Sequence, residues 1–379
     1  MKKVITAVVA CVILALMALG YWQASQREHT NTHEMPDTKG VIFNHLGDSY
    51  YWDIPFSEDY FIPLPCIVQD KSGAWHLFSS ARVHGGNTYV APNGAKFKIQ
   101  GDINQAHHNR LVELGADNGK DYRPLDLSFT KDALGIFIAA LVVMLLVFNV
   151  RNWYKKHGMK APRKGTAFIE VCVDFVYGDT IRPIMGKEAP KYAPYLLTCF
   201  FFILTMNLLG LVVIFPGGAN LTGNLAVTLF LALCTFLVTN FTGTREYWKE
   251  IFWPDVPLAL KCPVPLMPVI ELFGIFTKPL ALMIRLFANM LGGHMVVIVF
   301  TMLIFIFSAM FGVIAGAGTT VLSLALSLFM LLLDTLVSFI QAYVFTILST
   351  MFISMAHVHE EEPQTTVKYQ QTKIKQLKI

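Results

Sequence analysis

The chain has 379 residues, of which 54% are hydrophobic and 15% charged, and its mean hydropathy is +0.50. Soluble domains carry about a quarter charged residues, so this composition indicates a membrane protein. The formal net charge of +4 is small and no basic, aromatic-interleaved stretch stands out, which argues against nucleic acid as a partner. The six cysteines lack a CxxC or Cys/His ligand spacing, so neither a disulfide framework nor a zinc site is expected.

The first 24 residues have the pattern of a secretory signal peptide. Met1 and two lysines precede an apolar run from Val4 to about Gly20, where small residues make cleavage plausible. The run lies at the short edge of a membrane span, so a retained spanning helix is the alternative. We therefore predict a signal peptide over 1–24.

The segment 25–130 is polar and holds seven of the eleven histidines. Short aromatic and β-branched runs alternate there with Gly, Pro and Asn, which predicts a small, partly β domain outside the membrane. The histidines at 76, 84, 107 and 108 raise the question of a metal site, but no pair has a spacing that forces ligands to converge. Surface or core histidines are the better interpretation, and no metal or cofactor is predicted.

Five apolar segments follow within 131–356, as expected of helices that cross about 30 Å of hydrocarbon with roughly 20 residues each. Their approximate bounds are 133–150, 192–215, 225–244, 269–314 and 320–356, with a glycine-rich stretch at 316–320 dividing the last two. Basic residues concentrate in 151–191, 245–261 and the tail 357–379, and are absent from the loops near 215–224 and 314–320. By the positive-inside rule the basic segments, including the C-terminal tail, are cytoplasmic and the 25–130 domain is outside.

The fold class predicted from these segments is an all-α polytopic membrane protein of about five membrane helices, with a small, partly β extramembrane domain at its N-terminus. The last two helices are longer than a span requires. At 1.5 Å per residue each would run for roughly 55 Å, nearly twice the hydrocarbon thickness. Ordinary tilts of about 20° absorb only a few ångströms. We therefore predict a long, steeply inclined antiparallel hairpin.

Polar residues occur at helical spacings in this hairpin. Arg285 and Asn289 are four residues apart, and Asp334 and Gln341 are seven apart, so each pair shares one helix face. Glu271 lies on the Arg285 face, toward the cytoplasmic end. An ionisable residue inside a membrane is a functional candidate, and rows of Asp, Glu and His mark proton relays. The alternatives are that the arginine snorkels to the interface and that the others are ordinary links between helices.

A register for the hairpin follows if Arg285 lies level with Gln341. Asp334 then lies beside Gly292 and within about two residues of His294, with the turn near residue 313. A His–Asp contact is therefore predicted. On the first helix His294 is about 180° away from Arg285, so the arginine and the His–Asp pair face different surroundings.

The sequence Thr277-Lys-Pro-Leu-Ala-Leu-Met-Ile-Arg-Leu-Phe-Ala-Asn-Met-Leu-Gly-Gly-His294 closely resembles the signature of the a subunit of F-type ATP synthase. The resemblance extends over 269–356, where Gln341-Ala-Tyr-Val-Phe fits the last helix of the family, and more loosely over Met206-Asn-Leu-Leu. The 25–130 domain is longer than the outer segment of most members, so its interpretation rests on composition alone.

The resemblance implies a non-catalytic proton-channel stator, which carries H⁺ through two half-channels to and from the carboxylates of a rotating c-ring so that proton flow drives ATP synthesis. Arg285 would face the ring and separate the half-channels. The residues implied in proton translocation are Arg285, Asn289, His294, Asp334, Gln341, Glu271 and Asn207. Asn207 would lie at the outer end of the second span and Glu271 near the cytoplasmic exit. The implied partners are the c-ring, the b subunit stalk, the rest of the complex and the lipid of a bacterial inner membrane.

Two departures from the family pattern stand in this sequence. One bacterial pattern has an acid where this chain has His294 and a histidine where it has Asp334, so the pair is exchanged and one acid and one imidazole are kept. Gly210 occupies a place where some members carry Asp, which predicts a less acidic outer path.

Two other classes of function remain as alternatives. A stand-alone secondary transporter could use Arg285 to bind an anionic solute, but paired halves with interrupted helices are not evident. A membrane-bound metalloenzyme could use the histidines of the outer domain or of the tail, yet the tail is more simply a solvated charge run. The sequence has no phosphate-binding GxxxxGK[ST] loop, so the chain is not expected to be an enzyme by itself.

Overall fold

A computed structural model describes residues 47–53, 61–101, 109–117, 120–158, 160, 165–212, 218–252, 266–311 and 313–357. The predicted signal peptide, the histidines at 107 and 108 and the tail from 358 onward lie outside these ranges. The described chain is mostly helical, with a partly β region before the first membrane helix. The predicted fold class is thereby confirmed.

The N-terminal domain consists of short antiparallel strands. Among the described residues they are β1 (Tyr51–Asp53), β2 (Phe61–Pro63), β3 (Pro65–Gln69), β4 (Trp75–Ser79), β5 (Tyr89–Val90), β6 (Lys96–Ile99), β7 (Leu111–Asp117), β8 (Lys120–Tyr122) and β9 (Leu125–Asp126). They form three sheets with the orders β1-β2, β4-β3-β9 and β5-β6-β7-β8. Alternate residues of β3 and β4 are buried, as expected when side chains of a strand point to opposite faces.

The core of this domain combines apolar residues with one buried phenol. Cys66, Phe78 and Phe97 pack together with Tyr50 in a single cluster. The Tyr50 hydroxyl donates to the Asp126 carboxylate and accepts from a backbone N–H. Burial, and then the neighbouring carboxylate, raise the pKa of Tyr50 above its usual value. Burial also raises the pKa of the Cys66 thiol to about 12, so this cysteine remains a protonated core residue.

Asp70 is the centre of a buried polar cluster beside that core. Its carboxylate accepts hydrogen bonds from Ser72 Oγ (2.6 Å), Ala74 N (2.8 Å) and Asn93 Nδ2 (2.5 Å), and lies 3.0 Å from His76 Nε2. Burial by itself would raise the pKa of Asp70, but these hydrogen bonds outweigh it and hold the pKa well below its usual range. His76 is therefore tied into the protein interior by a carboxylate.

The other histidine of the described outer domain, His84, is also engaged. Its ring stacks on Phe61 with 3.9 Å between centroids and meets Tyr51 edge-on. In the ranges that the structure describes, no three His, Cys, Asp or Glu side chains are grouped so that they could hold a metal ion.

The described residues of the membrane part are mostly helical. Its helices are α1 (Lys131–His157), α2 (Gly165–Val176), α3 (Arg182–Met185), α4 (Ala189–Leu211), α5 (Leu225–Thr242), α6 (Arg245–Phe252), α7 (Leu266–Phe311) and α8 (Val313–Ala356). Thr130 and Asn224 begin α1 and α5 as N-caps, since each side chain accepts a hydrogen bond from a free N–H of the first turn. Among the residues that the structure describes, five helical stretches are long and apolar enough to cross a membrane, which agrees with the predicted number.

The basic segment between the first two predicted spans is more ordered than the sequence suggested. The sequence predicts only a basic connection between two spans over 151–191, but this segment contains α2, a π-helical turn at Tyr177–Ile181 and α3, which lead into α4. In α2 the side chains of Phe168 and Val171 are exposed while Cys172 and Val176 are buried. The distribution of charges did not reveal this two-sided helix, because its apolar face is short.

The last two helices form the predicted antiparallel hairpin. The Ser323 hydroxyl donates to the Phe300 carbonyl, and Asp334 lies against Gly293, so residue numbers rise along α7 as they fall along α8. The register is within one residue of the predicted pairing of Asp334 with Gly292. The two helices have 46 and 44 residues, or roughly 69 and 66 Å. Because α8 begins at Val313, the glycine-rich stretch 316–320 is inside α8 and does not divide the helices.

We expect Asp70→Asn to lower the free energy of unfolding of the outer domain by about 2–3 kcal/mol, because charge-assisted hydrogen bonds to a buried carboxylate are lost. Hydrogen exchange of the β4 amides in the purified full-length protein measures this change. Because the folded-state pKa is depressed, the contribution is present above the unfolded pKa of about 3.9 and is lost as pH falls through the folded value. Equal exchange in this variant and in Asp121→Asn, which alters an exposed carboxylate, would contradict the role of Asp70.

Candidate functional site

Helix α4 packs against the inner side of the α7–α8 hairpin. Leu196, Phe200 and Ile203 of α4 are fully buried at a spacing of three to four residues, which places them on one face. They join Leu286 of α7 and Phe345 of α8 in one apolar cluster. One side of α7 is covered by α8 and α5, and α4 packs mainly on α8. The other side carries exposed side chains, including Arg285.

Asn207 links α4 to α8 and to the loop that precedes α5. It is 1% exposed. Its Oδ1 accepts a hydrogen bond of 2.7 Å from the Thr222 hydroxyl, and its Nδ2 donates to the Ser338 carbonyl at 3.4 Å. Ser338 is one helical turn from Asp334, so the amide of Asn207 lies on the side of α8 that carries the acid.

His294 has a backbone carbonyl at each ring nitrogen. Its Nδ1 lies 3.2 Å from the Met290 carbonyl and its Nε2 lies 3.2 Å from the Gly210 carbonyl of α4. A carbonyl only accepts, and a neutral imidazole has a single N–H, so the neutral ring donates to one of these oxygens and the imidazolium donates to both. The geometry therefore accommodates a ring that gains and loses a proton.

The approach of His294 to α4 depends on Gly210. A Cβ at this position would lie 2.7 Å from Met290 Cε, 3.3 Å from the Ala219 carbonyl and 3.6 Å from His294 Cε1. The space that an aspartate would need is thus filled by the methionine and the imidazole. This contact accounts physically for the glycine in a chain that has a histidine at position 294.

Asp334 faces the same region from α8. Its Oδ1 is 2.6 Å from the point that a Cβ of Gly293 would occupy, so this glycine makes room for the carboxylate. Gly293 directly precedes His294 in the chain, so Asp334 lies at nearly the same level of the hairpin as His294. No hydrogen bond joins the two side chains in the described structure, because His294 turns toward Gly210 instead. His294 and Asp334 are therefore neighbours across the hairpin, and a direct His–Asp contact stays a prediction.

Three buried side chains of the described bundle keep polar atoms without a hydrogen-bond partner. In the described part of the chain, the buried side-chain polar atoms without a hydrogen-bond partner belong to Asn220, Asp334 and Gln341. Each buried group left without a partner costs about 1–3 kcal/mol, so native proteins carry few of them. These side chains therefore mark places where polarity is kept at the expense of stability.

Arg285 lies apart from this cluster. Its side chain is exposed, and within the described ranges it has no hydrogen bond or ion pair. Gln341, which the register places level with it, is 6% exposed and faces inward. Asn289 is half-buried. His294 and Asp334 are half-buried while Arg285 is exposed, and the separation of the arginine from the His–Asp pair stays a prediction.

A second polar region lies near the N-terminal end of α7. Glu271 is half-buried there, and burial together with the Glu271 charge raises the pKa of Tyr247 on α6. A small cavity beside them is lined by Asn240, Tyr247, Lys278 and Phe352 among others. The Lys278 ammonium lies 5.7 Å from the centre of the Phe352 ring, a cation–π contact.

Sequence reasoning missed three polar residues that the fold brings to the His–Asp region. Asn220 and Thr222 come from the loop before α5, and Ser338 contributes a backbone carbonyl. The available signal was the run Asn220, Thr222 and Asn224 in an uncharged loop between two spans. Backbone carbonyls leave no signal in a sequence.

Ionisable side chains held between long apolar helices define a polytopic membrane protein with an intramembrane polar site. The family model for the ATP synthase A chain matches residues 133–354, which includes every helix of the bundle. The chain therefore belongs to the ATP synthase A chain family, and the sequence resemblance is confirmed. The N-terminal β domain matches a separate family model, described as a domain of unknown function, over residues 41–127.

Curated relatives agree with this assignment. The chain is 43% identical to ATP synthase subunit a of Chloroherpeton thalassium, in an alignment that covers 62% of this chain and 68% of that protein. It is 40% identical to ATP synthase subunit a of Myxococcus xanthus, over 62% of this chain and 77% of the relative. It is 37% identical to ATP synthase subunit a 2 of Chlorobaculum tepidum, over 62% and 65% respectively.

We expect Gly293→Ala to reduce proton transport on the order of a hundredfold, because the added methyl displaces the Asp334 carboxylate by about an ångström. Helical Gly→Ala changes are otherwise stabilising by about 0.5–1 kcal/mol, so assembly should persist. ATP-driven acidification of membrane vesicles measures the loss. Gly165→Ala is the control, since a Cβ at this helical glycine meets nothing within 4 Å. Equal transport in the two variants would mean that the position of Asp334 is unimportant.

Proposed function

We propose that this chain is the membrane stator of an ATP synthase, in which H⁺ moves through two half-channels to and from the carboxylates of a c-ring. Membership of the ATP synthase A chain family supports this role. The chain itself is non-catalytic in this proposal, and proton flow through it drives synthesis in other subunits. Its sequence accordingly has no phosphate-binding loop.

The observation that carries the proposal is the unpaired, exposed Arg285. It lies roughly 28 Å along α7 from Leu266, well inside a helix whose ends are far away. A charged side chain at the middle of a bilayer costs about 2.5–3.5 kcal/mol on insertion scales, so it is retained where it has a use and an anionic partner. Within the described helices that partner is absent from this chain, which supports a carboxylate on another subunit.

The surface around Arg285 suits a close-packed partner helix. Ala281, Ala288 and Gly292 are exposed and lie within about 60° of the arginine around α7. Small residues allow helix backbones to approach each other in a membrane. A ring helix that slides past this strip could bring its carboxylate to the guanidinium without steric obstruction.

On the outer side, we assign the path to Asn207, His294, Asp334, Asn289 and Gln341. The contacts of His294 with Gly210 and of Asn207 with Ser338 support a polar route between α4, α7 and α8. A proton that reaches His294 can pass to the neighbouring carboxylate and then to an ionised ring acid. The unpaired polar atoms of the route are suited to hydrogen-bond water or a proton in transit.

On the cytoplasmic side, we assign the exit to the region of Glu271. When a ring acid approaches Arg285, the fixed positive charge stabilises its ionised form, so a proton is released. The cavity near Tyr247 and Lys278 supports a hydrated route on this side. After release, the ionised ring acid passes the arginine and receives its next proton from the outer route.

The proposed orientation places the β domain outside a bacterial inner membrane and the C-terminus in the cytoplasm. The concentration of basic residues in 151–191, 245–261 and the tail supports it. The c-ring and the b subunit stalk are the proposed neighbours in the complex. The alternative of a secondary transporter gains no support from the relatives compared here, which are all named as ATP synthase subunits.

We expect Arg285→Ala to abolish proton-driven ATP synthesis while the complex remains assembled, because the charge that holds the ring acid ionised is gone. ATP synthesis by inverted vesicles, normalised to assembled complex, measures the effect. Arg245→Ala, which removes an exposed arginine from α6, is the control and should retain synthesis. Wild-type rates in Arg285→Ala would reject the assignment.

We expect His294→Ala and Asp334→Ala each to impair synthesis strongly, and the double variant to be little worse than either single one. Groups that act as one relay show non-additive losses. The four rates of the double-mutant cycle provide the measurement. Fully additive losses would show that the two side chains do not hand on the same proton.

A further inference from the structure

A second buried charge cluster lies where the outer domain meets the bundle. The Asp48 side chain is 8% exposed, and its Oδ2 is 3.7 Å from Arg110 Nη1. Its Oδ1 accepts a hydrogen bond of 3.1 Å from the backbone N–H of Asp132, which is itself 6% exposed. Asn224 Nδ2 donates to the Asp132 carboxylate at 2.8 Å. Two buried carboxylates thus join the outer domain, α1 and the start of α5.

The outer domain is firmly attached at this place. The backbone N–H of Lys131 donates to the Ser49 carbonyl at 2.8 Å. Trp52 of β1 is 2% exposed and belongs to the same apolar cluster as the membrane helices, with Ile62 of β2 packed against it. The position of Asp48 relative to α1 is therefore set by hydrogen bonds on both sides and by buried apolar contacts.

A short loop joins this charge cluster to the His–Asp region. At one end, Asn224 holds the Asp132 carboxylate. At the other end, the Ala219 carbonyl and His294 Cε1 both lie within 3.6 Å of the point that a Cβ of Gly210 would occupy. Between them, Thr222 donates to Asn207. A segment of six residues therefore connects the outer carboxylates with the histidine.

Asn220 lies within this loop and is an unpaired polar group. It is 4% exposed, and both polar atoms of its side chain are buried without a hydrogen-bond partner among the described residues. The amide lies over Gly223, where a Cβ would clash with it. A buried amide costs free energy unless it is hydrogen-bonded, and in polar interiors the partner is commonly water. Asn220 is thus placed to hold water between the two polar regions.

We propose that Asp48 and Asn220 form the entrance of the outer proton path, so that H⁺ enters beneath the β domain at the Asp48–Asp132 pair and reaches His294 through water bound at Asn220. This inference rests on the proposed function. A carboxylate takes one proton from outside water and releases one to the bound water, which passes one to the imidazole. Each group returns to its starting state, and one H⁺ moves inward. The β domain thereby gains a role in conduction.

The test measures passive H⁺ flux through vesicles that contain the full membrane complex after removal of the soluble ATPase part. Asp48→Asn keeps an oxygen that can accept from the Asp132 N–H but cannot take up a proton. Asn220→Leu keeps the size of the side chain and removes both polar atoms. We expect each to lower the flux per assembled complex several-fold. Asp48→Glu keeps a carboxylate and Asn220→Ser keeps a polar group, so both should retain most of the flux. The flux of Asp121→Asn should equal that of the wild type.

Wild-type flux in both Asp48→Asn and Asn220→Leu would overturn the entrance. Equal loss in Asp48→Asn and Asp48→Glu would also overturn it, because the residue would then act only through its shape. ATP synthesis by Arg285→Ala, measured in the same preparations, separates the two proposals. If that synthesis is lost while the entrance variants conduct normally, the stator function stands and the entrance is wrong. Wild-type synthesis by Arg285→Ala would instead reject the function itself.

Discussion

Hydrocarbon offers no hydrogen bonds, so each polar group inside a membrane bundle has to be satisfied within the protein or kept for a purpose. Most hydroxyls of the bundle are hydrogen-bonded within the protein. Thr239, Thr346 and Thr350 each donate to the carbonyl four residues earlier in the same helix. Against this background the unpaired atoms of Asp334 and Gln341 stand out. The packing of the helices holds these two unpaired side chains in place.

Two glycines allow the helices to pack closely around the polar side chains. Gly293 of α7 leaves room for the Asp334 carboxylate, and Gly210 of α4 leaves room for His294. A methyl group at either position would lie under 3 Å from a side-chain atom of a facing helix. Close approach of three helices therefore fixes the distance between an acid and an imidazole that come from different parts of the chain. The rigid apolar cluster around Leu286 and Phe345 holds those helices together.

The sequence predicted the hairpin well because its information is periodic. Spacings of four and seven residues place side chains on one face, and one assumed pairing then located Asp334 beside Gly293 to within one residue. The sequence did not predict contacts between residues that are far apart along the chain. The contact of His294 with the Gly210 carbonyl joins residues far apart in the chain, through a backbone atom that every residue possesses. The helix within 165–176 was missed because basic residues surround a short apolar face.

The separation of Arg285 from His294 has a consequence for coupling. The two residues lie on opposite sides of α7, one exposed and the other turned toward α4. A proton at the imidazole therefore has the body of the helix between it and the guanidinium, and a fixed positive charge repels a hydrated proton that approaches. In the proposed stator, a proton therefore needs a carrier to reach the Glu271 side. The carrier leaves the outer route protonated and neutral, and it passes Arg285 in its ionised form. A carboxylate on a turning ring meets both conditions, because only its protonated form can enter lipid cheaply and only its ionised form is held by Arg285. The separation of Arg285 from His294 thus suppresses a direct leak of protons, and it also makes rotation of the ring necessary for proton transfer.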